Sequence, residues 1–243
     1  LPTNPGAPIV LYLHSGGWVG GDKQFVPDMV MRFVERGYAV ASVGYRLAPA
    51  HPFPEPVHDV KRAIRWLKAY GAREGVVDGD RIVVYGASAG GHLAAFVAAT
   101  PGRFEPDDLT PGEAAFDSTV SGVVSVVGPT DLVSLYATPS PWAAPMAGAF
   151  VGCGPCEEDE LRVASPIDHL HPGLPPAYWA DGENDGLVDA ASQGAAIAAA
   201  WGDLGGIYSS WLDLIEGGDH NIDESTINQR WVEAFVHFVT TPG

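Results

Sequence analysis

A serine, a histidine and an aspartate in this chain sit in settings suited to nucleophilic acyl chemistry. The serine is Ser88, within Gly86-Ala87-Ser88-Ala89-Gly90. A predicted strand over 81–85 precedes it and an Ala-rich stretch follows, which predicts a sharp strand-to-helix turn. A nucleophile at such a turn stands clear of the backbone. The turn presses strand against helix, so its flanks must be tiny, and Gly86, Ala87, Ala89 and Gly90 meet that need. The helix N-terminus also favours negative charge developing beside the serine. A glycine-rich turn with Ser88 as a mere helix N-cap would give the same pentapeptide, so the assignment depends on the residues around it.

A serine hydroxyl needs a base to take its proton, and the base needs a carboxylate to orient it. Of the eight histidines, His220 is the best placed, in the glycine-rich segment Gly217-Gly218-Asp219-His220 after the last predicted strand. His14 belongs to a glycine loop, and His92 lies one turn along the Ser88 helix, where local packing is expected. His51 and His58 lie in or beside a Pro-rich loop, His169 and His171 in a mixed segment, and His237 near the C-terminal end. For the carboxylate, Asp185 follows the fifth predicted strand; Asp131, Asp181 and Asp189 compete with it. Acyl transfer also needs backbone N–H groups aimed at the oxyanion. Ala89, directly after the nucleophile, and Gly16 and Gly17, in His14-Ser15-Gly16-Gly17, are the candidates, because glycine lets backbone approach a substrate closely.

The elements that must position these residues are legible as alternating patterns. Strands are predicted over 9–13, 38–43, 81–85, 120–127, 176–180 and 208–214. Helices are predicted over 25–36, 57–70, 88–100, 189–201 and 224–238. Residues 46–56 carry four prolines and read as an extended loop. Strands alternating with helices predict a parallel sheet covered on both faces, with reactive groups at the carboxyl ends of its strands.

The segments His14-Ser15-Gly16-Gly17-Trp18, Gly20-Gly21-Asp22-Lys23, Tyr45-Arg46-Leu47-Ala48-Pro49, His51-Pro52-Phe53-Pro54 and Gly86-Ala87-Ser88-Ala89-Gly90 together resemble the α/β-hydrolase esterases. The resemblance points to the hormone-sensitive-lipase-like and feruloyl/acetyl-xylan-esterase-like branches. It extends through Ala164-Ser165-Pro166-Ile167, Asp181-Gly182-Glu183-Asn184-Asp185 and Gly217-Gly218-Asp219-His220. It implies an α/β-hydrolase fold with a mostly parallel central sheet and helices on both faces. It further implies a serine carboxylesterase acting through Ser88, Asp185 and His220 and an acyl-enzyme on short-chain or aryl/acetyl esters. Within the family order of serine, acid, histidine, the segment Gly182-Glu183-Asn184-Asp185-Gly186-Leu187-Val188 looks like the family's Gly-x-x-Asp-x-x-Val, and that resemblance favours Asp185 as the acid.

Three departures stand out. The family's N-terminal antiparallel strand pair would lie before Leu1 and is expected to be absent from this chain. Ser15 stands where relatives carry the first of three glycines, which puts loop geometry in doubt. Ala50 replaces a common Glu, which puts the anchoring of the neighbouring loop in doubt.

The chain reads as one domain over 1–243 with a small lid-like insertion at about 130–165. Trp18, Leu187 and Trp142 are the candidate substrate contacts, with Val188, Met146 and Phe150 as further pocket or core residues. The net charge of −17 argues against nucleic acid as a partner, because such a surface repels phosphate backbones. No apolar run approaches the ~20 residues of a membrane span. No metal or organic cofactor is implied, and a small-molecule ester is the expected partner.

Rival readings remain. One is an arylformamidase, although Gly17 stands where those enzymes commonly carry Tyr. Another is a non-catalytic binding protein on a hydrolase scaffold. A third is a thiol–disulfide protein using Cys153-Gly154-Pro155-Cys156, although the acidic run Glu157-Glu158-Asp159-Glu160 disfavours a reactive thiolate; a loop staple or two free thiols is the alternative.

Overall fold

The computed structural model describes residues 6–71, 73, 75, 77–205, 209–222 and 227–241. Six parallel strands form one sheet: β1 (Ala7–Leu13), β2 (Ala39–Val43), β3 (Val77–Ala87), β4 (Gly122–Val126), β5 (Ala177–Gly182) and β6 (Ser210–Ile215), in the order β2-β1-β3-β4-β5-β6. The helices are α1 (Asp28–Glu35), α2 (Glu55–Trp66), α3 (Ala89–Ala99), α4 (Pro111–Ala114), α5 (Leu132–Ala137), α6 (Ala143–Val151), α7 (Glu158–Val163), α8 (Ala196–Gly205) and α9 (Gln229–Thr240).

Alternate residues of β1 to β5 feed two cores. On one face Ile9, Leu11, Leu13, Val84, Val123 and Trp179 pack with α2, α3 and α8. On the other, Val10, Tyr12, Val83, Tyr85, Val124 and Tyr178 pack with α1 and α9. Strands buried on both faces lack a polar side, which is why they read as continuous apolar runs. Every residue of α3 is buried, so its sequence has no polar stripe either.

Several boundaries differ from expectation. Helix α1 starts at Asp28 because Pro27 disfavours helical backbone at Val26, leaving Phe25 exposed. Helix α2 starts earlier than expected, at Glu55, since Pro56 sits in its first turn, where no N–H is needed. Strand β3 extends back to Val77, which pairs with Ala7. The helix expected over 189–201 begins instead as a π-helical turn, Ala191–Ala195, before α8. The expected starts of the sixth strand, at 208, and of the last helix, at 224, lie outside the described residues.

Strand order reverses at β1, whose neighbours are β2 on one side and β3 on the other. A crevice opens at the carboxyl ends of β1 and β3, where chains leave in opposite directions. The register sets Leu13 beside Gly86 and Gly86 beside Ser125, so the glycine loop after β1 and the serine turn after β3 share one edge.

Candidate active site

Ser88 sits between β3 and α3 with φ 52° and ψ −120°, a left-handed conformation strained for a residue with a side chain. The turn holds that strain by close packing. A Cβ on Gly86 would stand 2.1 Å from Gly90 O, and one on Gly90 would stand 2.1 Å from Leu13 O, so neither position accepts a larger residue. Ser88 N–H donates to Val126 O at 2.8 Å, fixing the turn to β4. The Ser88 hydroxyl does not cap α3. It lies 3.0 Å from His220 Nε2.

His220 Nδ1 is in turn 2.7 Å from Asp185 Oδ2. A carboxylate only accepts, so Nδ1 carries the ring proton and Nε2 offers its lone pair to the serine. The carboxylate of Asp185 is wholly buried, and its Oδ1 accepts from the N–H groups of Leu187 at 2.8 Å and Val188 at 2.9 Å. Three donors therefore hold this acid in one orientation. The His220 side chain is 23% exposed and lines the cleft beside Ser88.

The crevice is a cleft of about 470 Å³. Gly16 and Gly17 line it together with Ser88 and His220. Gly16 has φ 123°, and a Cβ there would stand 2.3 Å from Gly20 O, so the loop closes this tightly only with glycine. Ala89 is the first residue of α3 and is buried beneath the serine. Leu187, Met146 and the 68%-exposed Trp142 supply apolar walls, the last two from the start of α6.

Trp18 requires correction as a pocket wall. It is 1% exposed and does not line the cleft. Its ring stacks on Phe150 at 4.6 Å and its indole N–H donates to His92 Nδ1 at 3.2 Å. His92 then donates from Nε2 to Ala164 O at 2.8 Å, and burial pushes its pKa down to about 4. Trp18 and His92 thus bind the glycine loop to the core, where an aromatic ring buries most area. Val188 and Phe150 are also buried away from solvent.

The competing carboxylates fall elsewhere or take other partners. Asp131 caps α5, accepting from Val133 and Ser134 N–H. Asp189 accepts from Ser192 N–H. Asp181 is buried beside Asp185. Cys153 and Cys156 form a disulfide after α6. The loop in which Ala50 replaces Glu is tied down through Arg46, which pairs with Asp59 at 2.9 Å and also with Glu55. Among the described residues no cluster of three or more His, Cys, Asp or Glu side chains could hold a metal ion, and no helix is long and apolar enough to cross a membrane.

Four cleft residues escaped the sequence reading: Val126, Val127, Asn221 and Ile222. Val127 has φ 44°, an outlier for a β-branched residue, and follows the strand that anchors Ser88. Asn221 and Ile222 directly follow His220, which was the available signal.

Fold and site together define an α/β-hydrolase. The chain belongs to the BD-FAE family, whose model matches residues 2–200. Among curated proteins it is similar to the probable carboxylic ester hydrolase LipM of Mycobacterium tuberculosis, 32% identical over 75% of this chain and 42% of that protein. It is likewise similar to esterase LipQ of the same organism, 31% identical over 93% of this chain and 53% of the relative. The chain thus spans about half the length of these curated relatives. Among solved structures, a thermophilic esterase from Thermogutta terrifontis superposes with a TM-score of 0.74 at 25% identity, covering 98% of this chain and 82% of that one. A bifunctional GH43-CE protein of Bacteroides eggerthii gives a TM-score of 0.85 at 25% identity, covering 98% and 35%.

Proposed function

We propose that this chain is a serine carboxylesterase. The observation that carries the reading is the hydrogen-bonded series Ser88 Oγ, His220 Nε2, His220 Nδ1 and Asp185 Oδ2, with spacings of 3.0 and 2.7 Å, at the floor of an open cleft. The names of the relatives, carboxylic ester hydrolase and esterase, support it.

His220, oriented by Asp185, takes the proton of Ser88 as Oγ attacks the ester carbonyl. The backbone N–H groups of Gly16, Gly17 and Ala89 hold the oxyanion. His220 returns its proton to the leaving alkoxide, and an acyl-enzyme remains. Water, losing a proton to His220, then attacks the acyl carbonyl; collapse expels Ser88, which regains its proton, and the acid is released.

Short-chain, acetyl or aryl esters suit the cleft best. It holds only about 470 Å³, and the segment over 130–165 contributes only short helices as a small lid-like wall within one domain. Long acyl chains would need a longer apolar channel.

The test is hydrolysis of p-nitrophenyl esters from acetate to decanoate by wild type and Ser88→Ala. The expected result is activity that is highest on short esters and abolished in the variant. Equal rates in both proteins, or folded wild-type protein inert on every ester, would overturn the reading.

A further inference from the structure

Strand β5 ends in Asp181-Gly182, and the loop that follows carries Asp185. Strand alternation sets Asp181 on the face of Ala177 and Trp179, under the turn Ala191–Ala195. The residue is 2% exposed, and its Oδ1 is buried without a hydrogen-bond partner among the described residues. Gly194 of the overlying turn makes room for it: a Cβ there would stand 1.9 Å from Asp181 Oδ2. The chain therefore builds a closed seat for a second carboxyl group four residues before the one that orients His220.

The ionisable groups on the surrounding elements are few. Glu183 and Asp185 lie in the same loop; Glu183 accepts from Gly217 N–H at 3.4 Å, and Asp185 bonds His220. Asp189, at the entrance to the π-helical turn, is satisfied by Ser192 N–H. Gln193, from the same turn, donates to the backbone carbonyl of Asp131 and leads away from the site. On β6, Asp213 accepts from Tyr178 O–H, on the opposite face of the sheet. The charge that acts on Asp181 is that of Asp185, of like sign. Burial first, and then Asp185, push the Asp181 carboxyl up to about 7.

We propose that Asp181 is a positioning residue for the reaction, acting through Asp185 by holding or releasing a proton beside it. This rests on the reading of Ser88, His220 and Asp185 as the reacting residues. With its proton, Asp181 is neutral and Asp185 alone faces His220 with negative charge. Once Asp181 loses that proton to solvent, a second negative charge stands behind the first and draws a proton onto His220, which withdraws the base. A neutral amide in the same seat breaks the coupling.

The experiment is a ¹H–¹⁵N NMR titration of the His220 ring in wild type and Asp181→Asn, from about pH 5 to about pH 9. The wild-type ring is expected to titrate in two steps. Asp181→Asn is expected to give one step, with its midpoint lower by roughly half a unit or more. The acid limb of kcat/KM for a short p-nitrophenyl ester should simplify in the same way, with KM little changed. A purely structural Asp181 would alter thermal stability and leave both titrations alike, and identical curves would overturn the proposal. The ring titration does not depend on ester turnover, so an inert wild type would sink the esterase reading while this coupling was still read. Should Asp181→Asn not fold, Asp181→Ser removes the acid with a smaller side chain and is read in the same way.

Discussion

Met146 closes over Gly17: a Cβ placed on Gly17 would stand 2.3 Å from the Met146 sulfur. Gly17 also has φ 58°, so any side chain there strains the backbone as well. Helix α6 and the glycine loop are thus fitted to one another across the cleft, and a change in either reaches the other. Gly17→Ala is expected to lower kcat by on the order of tenfold or more, because the backbone N–H proposed to hold the oxyanion moves. Adding Met146→Ala removes the collision and leaves only the backbone strain, so part of the lost rate should return. Steady-state kinetics on the single and double variants decide this; a double variant no faster than Gly17→Ala would show that the contact is immaterial.

Asp185 holds His220 in one tautomer through a single bond at 2.7 Å. Asp185→Asn turns that acceptor position into an amide able to present the wrong hydrogen-bonding partner. A drop in kcat of about 10⁴ is the expected scale for such a loss. Rates within tenfold of wild type, from folded protein, would remove Asp185 from the mechanism and reopen the choice of acid.

Trp142 is 68% exposed at the rim of the cleft, so little of the fold depends on it. Trp142→Ala should leave the thermal transition unmoved. It should raise KM for aryl esters several-fold, as expected for loss of one aromatic contact of about 1 kcal/mol, with a smaller effect on acetates. Equal changes for aryl and alkyl substrates would deny Trp142 a role in selecting the ring.

Two buried groups make opposite contributions to stability over the same pH interval. His92, held near 4 in the fold against an ordinary 6.5, is neutral when buried. Its contribution is complete above 6.5 and is lost as pH falls from there towards 4, by about 3 kcal/mol, because the unfolded chain binds the extra proton. Asp181, held near 7 against 3.8, keeps its proton in the fold, so its contribution is complete below 3.8 and declines as pH rises towards 7. Urea unfolding across this range should show Asp181→Asn gaining stability relative to wild type as pH rises. A difference between the two proteins that does not vary with pH would refute the assignment for Asp181.

Much of the site was legible because its chemistry constrains local sequence. A nucleophile on a strand-to-helix turn needs small flanks, and that is the pattern that marks Ser88 as the candidate. A glycine loop after a buried strand does the same for Gly16 and Gly17. Trp18 was misread because its neighbours in sequence lie at the cleft while its own side chain turns inward, to Phe150 and His92. That direction is set by a backbone φ of 61° at Trp18, which periodicity does not report. Val126 and Val127 were missed because strand residues read as core wherever they lie, and only the sheet order makes the end of β4 a wall of the cleft.

The sequence alone determined the alternation of strands and helices, the small flanks of Ser88 and the chain order of Ser88, Asp185 and His220, since each is a local demand on residue type. The tertiary structure decided what separation along the chain conceals. It brought Ser88 within 3.0 Å of His220 across 132 residues, turned Trp18 into core, and buried Asp181 with its Oδ1 unpartnered among the described residues. Those outcomes depend on strand order and register, which place distant segments side by side, and no local pattern of residues encodes them.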